Sequence, residues 1–385
     1  MTMSGTKLIQ ADVCVLGAGI VGLAHAHEAR SRGLSVVVVD RDSHAVGASV
    51  RNFGHLFFSS QADGEPFDAA LRSRERWLEL GRRAGVIVSE AGTVVVARQQ
   101  DELALMEQVA ANPARGARML TASEVGALAP IPVDGLIGGF HGTLDLRADP
   151  RCAVAGLARL LDEDTGAQVC WNTLVHDVEP GVVSARGLRV QAPMIIVCPG
   201  PDYKSLPPGL QAGLEPLTLC QLQMLRIASP GGRAFPTALA TGLSLVRYPS
   251  FRDLPGAELL RARLQIEKGE LLANGIHLLV TQLPDGDLVI GDTHVYGDTL
   301  PPFGQERFYE LLLAEARELL GAEPEVHQRW HGVYPTVVDG PTPFHASAPM
   351  PGVRVVQNVG GIGMTLSFGQ APMVLDELLA APVAV

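Results

Sequence analysis

Gly17, Gly19 and Gly22, in the run Gly-Ala-Gly-Ile-Val-Gly, are spaced so that backbone rather than side chains can bind a ligand. Gly17 permits a tight turn, and Gly19 lets the chain approach a pyrophosphate. Gly22 lets the following helix sit close to its strand. A helix opening at Ile20 and Val21 would turn free N–H groups and the positive end of its dipole toward phosphate oxygens. Asp40, about twenty residues further on, stands where an acidic side chain can hold ribose hydroxyls. A glycine motif alone is weak, since a tight turn without ligand also satisfies it. The strand before it, the helix after it and the acid beyond make it a dinucleotide site.

NAD and FAD both use such a loop, so a second signal must separate them. The segment Asn358-Val-Gly360-Gly361-Ile362-Gly363-Met364-Thr365 is another glycine turn, opening the last helix. It suits the N1–C2=O edge of a flavin, which becomes negative on reduction and is favoured by a helix N-terminus. Taken alone, this segment could also be a glycine-tolerant strand-to-helix turn. The two turns together select FAD.

A substrate that a flavin oxidises must be held by an anchor with its reacting bond aimed at the ring, which asks for orientation more than acid–base machinery. Arg247 and Tyr248, in Leu-Val-Arg-Tyr-Pro-Ser-Phe, are candidates for that anchor, although a solvated arginine is the default reading. His25 and His27 on the first helix read as surface or packing residues. No HExxH, cysteine–histidine cluster, paired carboxylates or GxSxG elbow stands out, so neither a metal nor a serine hydrolase is expected.

These residues need elements to position them. Ala11–Leu16 and Leu34–Val39 read as buried parallel strands flanking a helix that runs to about Arg32 and closes at Gly33, one complete βαβ unit. Helices are expected over Ala69–Arg83, Asp101–Ala111 and Gln305–Leu320, and Thr121-Ala-Ser-Glu124 has the form of a capping box. Strands are expected at Val94–Ala97, Gln168–Asp177, Arg189–Gln191 and Met194–Cys198. The stretch Leu217–Asp292 alternates like an antiparallel sheet. A loop-rich region follows Leu320, then a strand at Val353–Gln357 and a helix over Thr365–Leu379.

The expected fold class is α/β: a Rossmann-type FAD-binding domain carrying an inserted α+β antiparallel-sheet substrate domain. The cofactor domain would comprise 1–80, 145–205 and 325–385, and the substrate domain 81–144 and 206–324. At 385 residues and 47% hydrophobic composition the chain can bury large cores. The formal charge of −11 argues against nucleic acid as a partner. Cys14, Cys152, Cys170, Cys198 and Cys220 are scattered, without a CxxC pair, which fits a reducing cytoplasm. The N-terminal residues lack the apolar run of a secretory signal, and no segment approaches the ~20 apolar residues of a membrane span.

Taken in order, VLGAGIVG, VVVVDRD, GASVRNFGHL, DLRADPRCAVAGLARLL, Cys198-Pro-Gly200-Pro201, VIGDTHVYG, HGVYPTVVDGPTPF and NVGGIGMTLSFGQAPMVLDEL resemble the D-amino-acid-oxidase-like FAD oxidoreductases, which include glycine and sarcosine oxidases. The resemblance runs nearly end to end. It implies extended FAD with its flavin between two domains. Gly17, Gly19 and Gly22 would line the pyrophosphate, and Asp40 the adenosine ribose, with Arg41 beside it. Ala48, Ser49, Arg51 and Asn52 would form the loop past pyrophosphate and flavin. Val175 would offer its backbone to the adenine, and Gly361, Gly363, Met364 and Thr365 would reach the isoalloxazine.

Two departures from that family matter. Gly332 stands where monomeric sarcosine oxidase carries a flavin-tethering cysteine, which implies non-covalent FAD. Tyr334 stands where the amino-acid oxidases carry an arginine for the substrate carboxylate, which argues against an ordinary α-amino acid. Val289 appears at the position of a lysine that assists oxygen. The segments SVRNFGHLFF, GIHLLVTQ and GDTHVYG more closely resemble a subgroup associated with phosphonate breakdown. The resemblance implies oxidation of aminoethylphosphonate or its N-methyl derivative, with oxygen or another electron acceptor. It also brings His294 and Tyr334 near the flavin, with His55 bordering the cavity and His345 and Gln282 as weaker candidates. A glycine/sarcosine-type oxidase, a flavin monooxygenase and a non-catalytic flavin-binding subunit are the alternatives.

Overall fold

The computed structural model describes residues 6–214, 216–337 and 343–380. Valine-rich Val13–Leu16 and Val36–Val39 form adjacent parallel strands, Val13 opposite Val36, with the helix Ile20–Ser31 crossing between them. β-branched side chains buried on both faces are what a central parallel strand requires. The sheet continues to six strands in the order Ala167–Cys170, Val36–Val39, Val13–Leu16, Met194–Val197, Val353–Asn358 and Phe344–Met350. All pairs are parallel except the last, an antiparallel edge. Ligands of open α/β sheets bind beyond the carboxyl ends of the strands. Gly17, Asp40, Cys198 and Gly360 all follow such ends and line one cavity.

One face of this sheet is packed with helices. Leu23, Trp77, Leu157 and Phe368 share a buried cluster, each from a different helix. The Trp77 indole N–H donates to the Met364 carbonyl at 2.8 Å, and its ring meets Phe368 edge-on at 5.3 Å. The start of the last helix (Gly363–Ala380) is thereby fixed by a fully buried tryptophan.

The second large sheet is mixed. Its order is Val295–Gly297, Thr218–Ile227, Leu288–Gly291, Leu279–Gln282, Ala238–Ala240, Thr93–Ala97, Gly138–Gly142 and Ala117–Leu120. Val326–Thr336 pairs along Thr218–Ile227, Tyr334 opposite Cys220. The sheet has its own core, around Val94, Leu225, Leu279 and Leu312. None of the helices among the described residues is long and apolar enough to cross a membrane.

Most expected elements are found within a residue or two, including the Thr121/Glu124 capping box. Three expectations need correction. Gln168–Asp177 is two strands: Asn172 turns with φ 53°, so Ala167–Cys170 joins the six-stranded sheet and Val175–Glu179 a separate four-stranded one. The stretch 217–292 contains helices, Ala257–Glu267 among them, and Ala238–Ala240 runs parallel to Thr93–Ala97. Finally, the loop-rich region after Leu320 holds the 11-residue strand Val326–Thr336, and residues 338–342 of the VVDGPTP run lie outside the described residues.

Candidate active site

A cavity of about 860 Å³ runs from the glycine loop to the second sheet, near the upper end of the ~300–1,000 Å³ usual for small-molecule sites. Among the residues expected at the cofactor, Gly17, Gly19, Ile20, Val21, Asp40, Arg41, Ala48, Ser49, Arg51, Asn52, Val175, Gly200 and Gly361–Thr365 all line it. Gly22 does not, and its role is packing. A β-carbon there would lie 1.8 Å from the Gly17 carbonyl oxygen.

The polar details of the glycine loop fit a dinucleotide. Gly19 caps the first helix without any side-chain hydrogen bond, and no acidic residue occupies its first turn. Nothing negative therefore competes for its dipole. The Ser49 hydroxyl accepts from Ile20 N at 2.9 Å, tying the following loop to the helix start. Asn52 braces that loop, donating to the Ala48 and Ser49 carbonyls and accepting from Gly54 N. Asp40 accepts from Ala18 N at 2.7 Å and from Asp42 N at 2.9 Å. It thus braces the turn as well as facing the expected ribose, with carboxylate lone pairs to spare. Arg41 is half-exposed at the rim and pairs with Asp202.

At the other end the second glycine turn meets the second sheet. Gly361 has φ +77°, and a β-carbon there would lie 3.0 Å from the Tyr334 ring. Tyr334 is buried in the wall, and its hydroxyl accepts from Arg247 at 3.4 Å. Arg247 also donates to the Tyr296 hydroxyl at 3.0 Å. The short 3-10 turn Gly242–Val246 aims Arg247 inward, so this arginine is not a solvated surface group. The position expected to lack an arginine is reached by one from elsewhere in the chain.

Rings continue along the wall: His55 stacks on Phe57, Phe57 meets Tyr248, Tyr248 meets His277, and His277 stacks on His294 at 5.4 Å. His55 is held to the Thr93 hydroxyl at 2.6 Å. Its pKa falls to about 3, chiefly through burial and then Arg147. His294 lies not within a strand but in the break between Leu288–Gly291 and Val295–Gly297. Its Nδ1 bonds the Gly275 carbonyl at 2.6 Å. Burial, then Arg247 and His277, push its pKa well below the usual value. It is neutral, donates from Nδ1 and presents Nε2 as a lone pair.

Two neighbours were missed by the sequence reading. His277 lies in GIHLLVTQ, and its pKa falls to about 3 through burial and then Arg247. Asp292, in VIGDTHVYG, is buried, and burial lifts its pKa to about 7 against the pull of Arg247. Its Oδ1 lies 3.3 Å from His277 Nε2 and 4.0 Å from His294 Nδ1, yet accepts no hydrogen bond. A polar residue within an apolar strand sequence was the available signal for both. His277, Asp292 and His294 offer ligand atoms within 4.8 Å of one another, a grouping that could hold an ion although none was expected. Arg247 shares that space, and its charge works against a second cation.

The weaker candidates lie elsewhere. Gln282 ties Arg233, Phe235 and Gly286 together, and His345 sits on the edge strand opposite Gln357. His25 and His27 are buried packing residues of the first helix, not surface ones. Gly332 lines the cavity and offers no side chain to a flavin, while Val289 is buried in the second core.

Solved structures share this architecture. L-proline dehydrogenase from P. horikoshii superposes with a TM-score of 0.78 at 16% identity, covering 97% of this chain and 94% of its own. Glycine oxidase from Geobacillus kaustophilus gives 0.74 at 19% identity, covering 98% and 96%. The dithionite-reduced L-alpha-glycerophosphate oxidase from Mycoplasma pneumoniae, with FAD bound, gives 0.71 at 17%, covering 96% and 95%. No curated protein matches the chain by sequence. At these identities the structural likeness speaks for the fold. Residues 12–376 match the family described as "DAO: FAD dependent oxidoreductase", so this chain, with its two glycine turns on one cavity, belongs to that family of FAD-dependent enzymes.

Proposed function

We propose that the chain oxidises the C–N bond of a small primary or secondary amine carrying an anionic tail, with aminoethylphosphonate or its N-methyl derivative as substrate. The carrying observation is Arg247, whose guanidinium enters the cavity between the Tyr296 and Tyr334 hydroxyls. A planar fork of donors beside two hydroxyls suits the equatorial oxygens of a phosphonate. Bound FAD would accept the hydride equivalent from the carbon bearing nitrogen. The imine then takes up water and releases phosphonoacetaldehyde with ammonia or methylamine.

The chain's own residues would orient the amine. The first turn and Ser49–Asn52 would hold the pyrophosphate side, Asp40 the ribose, Val175 the adenine edge and Gly361–Thr365 the isoalloxazine. Neutral His294 and the Tyr334 wall would direct the amine end, while Tyr248 and His55 would close the side of the cavity. The cofactor is held without a covalent bond, Gly332 having no side chain to form one. The division into cofactor and substrate parts remains part of this proposal, as does a cytoplasmic setting.

Anaerobic titration with aminoethylphosphonate, its N-methyl form, glycine and sarcosine, following flavin bleaching, tests the reading. Best bleaching by glycine or sarcosine sinks the phosphonate assignment. That second reading is favoured by Arg247 itself, which can also grip a carboxylate. Substrate-stimulated NADPH consumption would point to a monooxygenase, and failure of every amine to bleach the flavin to a non-catalytic subunit.

A further inference from the structure

An aliphatic ammonium loses its proton near pH ~10.4, to judge from lysine, so roughly one molecule in 10³ is neutral at pH 7. Either the scarce neutral fraction is taken from solution or a group in the cavity removes that proton before the C–H bond gives up hydride. We propose that the Asp292 carboxylate is this proton acceptor, paired across the cavity with Arg247 so that the two read the opposite ends of a zwitterion. This rests on the amine-oxidation reading above.

The ionisable groups facing Asp292 are His277, His294, Arg247, Tyr248, Tyr296, Tyr334 and Cys220. Arginine has no lone pair to offer. Burial raises the pKa values of Tyr248, Tyr296, Tyr334 and Cys220, so all four keep their own protons near neutrality. Protonating His277 or His294 would create a buried imidazolium next to the Arg247 cation, and both are pushed toward neutrality for that reason and by burial. Asp292 differs in sign. When the ammonium N–H bond breaks and a carboxylate O–H bond forms, one positive and one negative buried charge both disappear, leaving a neutral amine and a neutral acid.

The geometry supports this role. Asp292 lines the cavity and is 5% exposed, and its Oδ1 accepts no hydrogen bond from the protein. An unbonded buried carboxylate oxygen is costly unless a ligand satisfies it. The backbone is tied down on this side, Asp292 N donating to the His277 carbonyl at 3.0 Å and His294 N to the Asn274 carbonyl at 3.1 Å. Burial brings the affinity of Asp292 for a proton near neutrality, where a base can both accept the proton and later release it.

The test is stopped-flow flavin reduction by aminoethylphosphonate without oxygen, from pH 6 to 9.5, in the wild-type holoenzyme, Asp292→Asn and Asp292→Glu. Wild type should reach a plateau once Asp292 is ionised. Asp292→Asn should be slower by about 10²- to 10³-fold at pH 7, and then gain roughly tenfold per pH unit as the free amine deprotonates in solution. Asp292→Glu should recover part of the rate and the plateau. A uniform loss at every pH, or an unchanged rate, in FAD-loaded Asp292→Asn overturns the proposal. So does a wild-type rate that climbs tenfold per unit without a plateau, a result that needs no variant. A stoichiometric divalent ion in the purified holoenzyme, removable by chelator with loss of the plateau, would assign the cluster to a metal instead. If no amine bleaches the wild-type flavin, the amine-oxidation reading falls and this proposal with it; if wild type bleaches and Asp292→Asn keeps its profile, only this proposal falls.

Discussion

Replacing Arg247 with methionine removes the one cationic group that the cavity directs between Tyr296 and Tyr334. The stem volume is largely kept, so the change isolates charge and donors. A hydrogen bond to a charged group contributes about 1.5–3 kcal/mol, and about 1.4 kcal/mol is tenfold in affinity. Binding of a phosphonate tail should therefore weaken roughly 10- to 150-fold. Ethylphosphonate is the clean probe, because it has the tail but no amine to oxidise; its binding is read from the absorbance of the oxidised flavin. Arg247→Lys keeps the charge but not the fork and should fall between the two. A second consequence has a definite sign. Arg247 favours the ionised form of Asp292, so its removal should raise that pKa above about 7 and move the plateau of flavin reduction to higher pH. FAD-loaded Arg247→Met that binds ethylphosphonate as wild type does would refute the anchor assignment. A plateau moving to lower pH would refute the electrostatics.

Gly361→Ala places a methyl 3.0 Å from the Tyr334 ring in a left-handed backbone conformation, at a cost of about 1–2 kcal/mol for the backbone alone; a lowered melting temperature with slower flavin reduction is expected, and no change in either would show that the turn has slack. Gly22→Ala meets the Gly17 carbonyl oxygen and must push the helix from its strand, so the purified protein should carry less FAD, read as the ratio of 450 to 280 nm absorbance. Tyr334→Phe should retain FAD and slow reduction about tenfold or less, since the lost hydroxyl makes a long contact to Arg247 at 3.4 Å and otherwise meets only the weakly polar Cys220 thiol. Acid precipitation should leave a colourless pellet and a yellow supernatant; a yellow pellet would mean a covalent flavin.

How much of this was legible in the sequence depended on range. The cofactor end is built from contiguous segments whose chemistry is local: a glycine turn announces itself by its spacing, and valine runs announce buried strands. Those residues all came to one cavity, save Gly22, which acts by packing. The helix Ala257–Glu267 shows a different failure. Its buried Ala257, Leu260 and Leu264 have helical spacing, but the alternation of the strands on either side masked it. The substrate end was least legible, because its meaning lies in pairings distant along the chain. Tyr334 read as the loss of an arginine, whereas Arg247, 87 residues earlier, delivers a guanidinium to its hydroxyl. Asp292 stood in plain view two residues before His294. What makes it notable is the absence of a hydrogen-bond partner in a buried place, and no linear pattern encodes that. Sequence spacing identifies groups that act through backbone. A buried carboxylate oxygen left without a hydrogen bond is visible only once its neighbours have been folded around it.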